Sequence, residues 1–130
     1  MNQPERVSGD IEVVGECAYC RPVGTVTLEQ SVELVDQALV FARDRQIPKL
    51  LVNCKGLIGF RSPTLPERYF IVRQWAATAK GLVQVALVIR SEMMDPEKFG
   101  VTVARNSGLN ADVFLEEAEA LAWLLGGTEK

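Results

Sequence analysis

Two short, almost wholly apolar runs, Lys49-Leu-Leu-Val-Asn53 and Leu82-Val-Gln-Val-Ala-Leu-Val-Ile89, set the strongest limit on how this chain folds. Each has the length of a strand and little polar alternation, so both of its faces have to be covered. A sheet covered on both faces draws helices from the segments that join its strands, and those strands then run parallel. The rest of the chain has to supply these helices.

It does so with recognisable start and stop signals. Thr27-Leu-Glu-Gln30 has capping-box spacing, and Leu28, Val32, Val35, Leu39 and Ala42 line one face of the helix it opens, which ends near Gln46 ahead of Pro48. Thr64-Leu-Pro-Glu67 repeats that spacing with Pro66 in the donor-poor first turn. It predicts a second helix to about Lys80 with Ile71 and Trp75 on its core face. Asp95-Pro-Glu97 reads as cap, proline and acidic first turn of a third helix ending near Asn106. Ala111 to Leu115 is expected as a last strand, and Glu116 to Leu125 as a last helix closed by Gly126.

Upstream, Asp10-Ile-Glu-Val-Val-Gly-Glu16 alternates apolar and polar residues and predicts a first strand, with Gly15 opening a turn. A second strand is expected from about Ala18 to Val26, and two strands this close in sequence form a hairpin. Pro22 donates no ladder hydrogen bond, which favours an edge position or a bulge. The segment from Cys54 to Pro66 is expected as a loop. The predicted fold is a single α/β domain over residues 10–126, between short tails at 1–9 and 127–130. Its sheet is mixed and mostly parallel, with an antiparallel N-terminal hairpin and about four helices.

Composition narrows the chemistry. The chain of 130 residues contains no histidine. That excludes Ser-His-Asp and Cys-His nucleophile pairs and removes the commonest general base and metal ligand. No metal site and no cofactor are expected, and neither nucleotide-binding glycine motif is present. The net charge is −3 without a clustered Lys/Arg stripe, so no nucleic-acid partner is expected. The segment Met1 to Val7 lacks the apolar core of a signal peptide, and no run has the length of a membrane span. With an odd number of cysteines, three, these features point to a reducing cytoplasm.

Cys17-Ala-Tyr-Cys20 has the spacing of a redox dithiol or half a zinc site. A thioredoxin-type dithiol sits where a strand meets a helix, whereas Cys20 is followed by Arg-Pro-Val-Gly. In an extended segment residues three apart lie roughly 10 Å apart on opposite faces, so only a tight turn across Ala18-Tyr19 brings them within disulfide reach. A structural zinc needs four ligands, and only Cys54 remains. The spacing reads as coincidence in a hairpin.

The stretch "NCKGLIGFRSPTLPER", Asn53 to Arg68, holds more promise. It lies at the carboxyl end of a buried strand and the start of a helix, where open α/β sheets place their ligand sites. Arg61 precedes the helix start and Arg68 falls in or just after its first turn, where a cation opposes the helix dipole and is available to an anion or partner. Leu57, Ile58 and Phe60 make the loop apolar, and Met94, with Met93, is available at another carboxyl strand end as flexible wall. The Glu116-Glu117 and Glu92/Asp95 pairs are read as dipole-complementing residues at helix starts.

The phrases "LLVNCKGLIGF", "DPEKFGVTVARNSGLNADVF" and "EEAEALAWLL" resemble SpoIIAA-like proteins, relatives of the STAS domains found in anti-sigma factor antagonists and sulfate-transporter tails. The resemblance runs from about Ile11 to Leu125 and implies a mixed sheet with helices around it. In the antagonists a serine of an Asp-Ser-Ser-Gly motif at the second helix start is phosphorylated by a partner kinase. The matching position is Ser62, with Arg61 in place of the aspartate and Pro63-Thr64 in place of the following Ser-Gly. The family also resembles lipid-transfer domains of the CRAL-TRIO type, which implies a lipophilic ligand.

Two functions follow as expectations. One is a non-catalytic binding module for a small lipophilic or amphipathic anionic ligand, held near Leu57, Phe60, Tyr69, Trp75 and Met94 with Arg61 or Arg68 at the mouth. The other is a STAS-type regulatory module that meets a protein partner around Ser62, with Ser62 phosphorylated. The open hairpin edge allows a homodimer. An enzyme acting through Cys17 or Cys20 would need a depressed thiol pKa.

Overall fold

A computed structural model describes residues 11–126. The two predicted tails, and Asp10 at the predicted start of the first strand, lie outside the described residues. The main sheet has five strands: β1 (Ile11–Val14), β2 (Cys17–Cys20), β4 (Lys49–Asn53), β6 (Gln84–Val88) and β7 (Ala111–Phe114), side by side in that order. Only β1 is antiparallel, paired with β2 from Ile11–Cys20 to Val14–Cys17. The parallel pairs β2–β4, β4–β6 and β6–β7 follow from the helical crossovers α1 (Leu28–Asp44), α2 (Leu65–Ala79) and α3 (Phe99–Asn106). A fourth helix, α4 (Glu117–Leu125), follows β7.

Side-chain alternation divides the core into two layers. Ala18, Cys20, Leu50, Val52 and Val85 face α1, α2 and α3, whereas Cys17, Leu51, Ala86 and Val88 face Ala120 and Leu124 of α4. The apolar runs that lack alternation are therefore the strands covered on both sides.

Both capping boxes form. Thr27 Oγ1 accepts from Gln30 N at 3.0 Å while Thr27 N donates to Gln30 Oε1 at 2.9 Å. Thr64 and Glu67 repeat this pattern at 3.3 and 2.8 Å. Several other expectations are corrected. The second strand stops at Cys20, because Pro22 cannot continue the ladder, and β2 lies inside the sheet between β1 and β4. A separate strand β3 (Gly24–Thr25) pairs in parallel with β5 (Leu57–Ile58), so the expected loop contains a short strand. Gly56 and Gly59 make this pairing fit. A Cβ on Gly56 would lie 2.9 Å from Pro22 O, and one on Gly59, whose φ is +102°, would lie 2.8 Å from Thr25 Cγ2.

The third helix starts at Phe99, four residues beyond the expected cap. Asp95 spends its carboxylate on the amides of Glu97 and Phe99, and Lys98 takes a left-handed φ of 51°, so Asp95-Pro96 forms a turn instead. A 3₁₀ turn at Ser91–Met93 precedes it. On α2 the fully buried residues are Val72 and Ala79; Ile71 is only half-buried.

Candidate functional site

The site grows from the way α2 is held. This helix packs chiefly on α1 and α3, while α1 and α3 reach the sheet. Beside the apolar core that Val72 and Ala79 share with α1, hydrogen bonds tie it to that helix: Trp75 Nε1 donates to Val32 O at 3.1 Å, Thr78 Oγ1 to Asp36 Oδ1 at 2.5 Å, and Arg43 Nη1 to Thr78 O at 2.8 Å. Beneath the helix lies a partly open cavity of about 160 Å³. Its wall is mostly apolar, built from Val32 and Val35 of α1, Ile71 and Trp75 of α2, Val101 of α3 and Leu87 of β6.

Of the residues singled out from the sequence, Phe60, Arg68 and Trp75 line this cavity. Leu57 is fully buried within β5, and Arg61, Tyr69 and Met94 lie outside the lining; Met93 takes the wall position instead of Met94. Sequence reading missed Arg90, Lys98 and Gly100 as wall residues. No local signal marks them, since they lie on segments that meet α1 and α2 only in the folded chain.

The charged groups at the cavity are engaged. Arg68 Nη2 donates to Ser62 Oγ at 2.6 Å and to Met93 O at 3.1 Å, which ties α2 to the loop before it and to the segment after β6. Arg90 Nη1 donates to Leu57 O at 2.9 Å. Arg90 Nε lies 3.0 Å from Glu92 Oε2, an ion pair whose angle falls short of a hydrogen bond. Lys98 Nζ pairs with Asp112 Oδ1 at 3.0 Å.

Next to the cavity, Ser62 is held from two sides. Arg68 grips its hydroxyl, and Arg61 Nη1 donates to its carbonyl at 3.2 Å. Arg61 also chelates Glu67 through two hydrogen bonds of 2.7 and 2.8 Å. That guanidinium, helped by the Thr64 amide, holds the Glu67 carboxyl at about 2, well below its ordinary value. On the outward side of α2, Leu65, Tyr69 and Phe70 are exposed; Phe70 is 70% accessible, and its ring meets Tyr69 edge-on at 5.3 Å.

The thiols do not share a site. Cys17 and Cys20 lie on opposite faces of β2, one in each core layer, as extended geometry requires. Burial raises both of their pKa values, and it pushes Cys54 to about 12. Cys54 is half-buried and lines the cavity, and the loss of solvation there is what raises it. Among the described residues no group of three or more His, Cys, Asp or Glu is placed to hold a metal ion. No described helix is long and apolar enough to cross a membrane. Glu117, at the start of α4, is tied by Arg21 at 2.7 and 3.1 Å and by Asn53 at 2.8 Å, and Arg21 foremost lowers its pKa.

Neither a family model nor a curated protein matches the sequence. Solved structures do. An anti-sigma factor antagonist from Mycobacterium paratuberculosis aligns over 97% of this chain and 100% of its own, with a TM-score of 0.59 and 12% identity. An uncharacterized protein of the DUF3478 family from Shewanella loihica, with a SpoIIAA-like fold, aligns over 95% and 98%, with a TM-score of 0.52 and 18% identity. At such identities the likeness is one of architecture, and the chain has the SpoIIAA-like fold that the anti-sigma factor antagonist shares.

Proposed function

We propose that this chain is a regulatory binding module that presents the start of α2 to a protein partner and carries no reaction of its own. The observation behind this reading is the outward apolar face of Leu65, Tyr69 and Phe70, one to two helical turns from a serine gripped by two arginines. Large apolar side chains left in water beside charged groups are a usual mark of a recognition surface. The fold shared with an anti-sigma factor antagonist fits the same reading. A phosphoryl group on Ser62 would add about −1.5 to −2 charges beside Arg61 and Arg68 and re-form their hydrogen bonds, changing the surface a partner meets. The raised thiol pKa values argue against cysteine chemistry.

The test is cross-linking and affinity capture in the host with wild type, Phe70→Asp and Ser62→Glu, followed by reconstitution with the purified partner. A partner lost with Phe70→Asp and altered with Ser62→Glu supports the proposal. Capture unchanged in both variants counts against it.

The cavity carries a second reading, in which the module also holds an apolar ligand under α2. Native mass spectrometry of protein from the host tests it: excess mass that disappears on denaturation supports a ligand, and a bare mass argues against one.

A further inference from the structure

We infer that the cavity beneath α2 is a site for a neutral apolar molecule of benzene-to-indole size, preferably aromatic, and not for a long-chain lipid or an amphipathic anion. The inference rests on the reading that the cavity takes an apolar ligand, and it narrows that reading by size, charge and shape.

Size comes first. The cavity measures about 160 Å³, and an apolar protein cavity of about 150 Å³ stays dry and takes benzene. A hexadecanoyl chain has roughly three times as many carbons as benzene, so most of its length would stay outside this partly open space, in water.

Charge comes next. An anion would need a cation free to receive it, yet each cation on the wall already has partners. Arg68 is divided between Ser62 and Met93 O, Arg90 between Leu57 O and Glu92, and Lys98 is paired with Asp112. Asp95 and Asp112 also border the space. A carboxylate entering here would lose its hydration and displace an existing partner, which a neutral molecule does not have to do.

Shape and wall chemistry come last. Phe60 and Trp75 both contribute to the wall, and the polar edge of Trp75 is spent on Val32 O, so the indole offers the cavity apolar surface. Aromatic rings meet other rings favourably in offset or edge-on contacts. Arg68, on this wall, also donates to the Ser62 hydroxyl beside the proposed partner surface.

The test is titration of indole, toluene, benzoate and hexadecanoate into the isotope-labelled full chain, followed by amide chemical shifts. Indole and toluene are expected to give saturable shifts at Val32, Gly100 and Val113, with benzoate weaker by about tenfold or more and hexadecanoate without effect. Gly100→Leu fills the space from α3, where a Cβ meets only Val72 Cγ2 at 3.6 Å, and is expected to weaken indole by about tenfold or more while the spectrum stays folded. Ala104→Leu gives the same test from a second wall position. Tighter binding of hexadecanoate or benzoate would overturn the size or charge assignment while leaving an apolar-ligand site in place. No saturable shift with any probe would overturn both. Indole binding unchanged in folded Gly100→Leu and Ala104→Leu proteins would place the molecule elsewhere and overturn the assignment to this cavity.

Discussion

On one face of the sheet α4 lies directly across β4, β6 and β7, with Ala120 and Leu124 buried against Cys17, Leu51, Ala86 and Val88. On the other face α1 and α3 reach the strands, while α2 rests chiefly on those two helices and leaves about 160 Å³ beneath it. One short helix covers the middle of this face, with Ala120 and Leu124 buried and Leu121 and Trp123 half-buried against the strands. Three helices close the other face incompletely, because the middle one is supported by its neighbours and by polar ties instead of by the sheet. The arched face has room for a ligand and carries the Ser62 surface.

The largest expected effect sharpens this contrast. Leu124→Ala on the α4 face is expected to cost about 2–5 kcal/mol, the range for emptying a well-filled site. Leu87→Ala, whose side chain already borders a void, is expected at or below about 2 kcal/mol, since fewer contacts are lost. Denaturant melts of both variants read the difference, and equal losses would break the comparison.

A smaller effect is expected at Arg68. Arg68→Ala removes two charge-assisted hydrogen bonds that bind α2 to its flanking segments, for a loss of about 2 kcal/mol. Hydrogen exchange is expected to quicken at the start of α2 while α4 stays protected. Uniform loosening of both faces would show that α2 is not held locally.

The thiols probe how tightly each face is closed. Burial raises Cys17 on the α4 face, and it takes Cys54 beside the cavity to about 12. Alkylation near pH 8 is expected to run at least about tenfold slower than for free cysteine at both sites. A fast Cys17 would mean that the α4 face opens.

The mildest expected change concerns acid. Glu67 titrates at about 2 in the folded protein, below its ordinary 4.5. A depressed folded value means that its contribution is present above the ordinary value and fades as pH falls through the folded one. Carboxyl shifts are expected to titrate near 2 in wild type and to rise toward the ordinary range in Arg61→Ala.

Most of the architecture was legible because its signals are local. Capping boxes, stop signals, alternation and apolar runs located the five strands of the main sheet and the four helices, with the end of the second strand and the start of the third helix misplaced. The start of α3 was misread because Asp95 has two uses for its carboxylate, as a helix cap or as a turn, and sequence does not say which amides it will meet. The site was only partly legible. Phe60, Arg68 and Trp75 stood out by chemistry, but Arg90, Lys98 and Gly100 join them from distant segments.

By itself the sequence determined the order of the five main-sheet strands and four helices, the hairpin at the sheet edge, and the absence of histidine chemistry. These follow from periodicity, backbone geometry and composition, which act over a few residues. Tertiary structure alone decided that α2 would rest on α1 and α3, that a cavity would remain under it, and that Arg68 would reach Ser62. Those outcomes depend on how side chains from segments far apart fill a shared volume, and no local pattern encodes that sum.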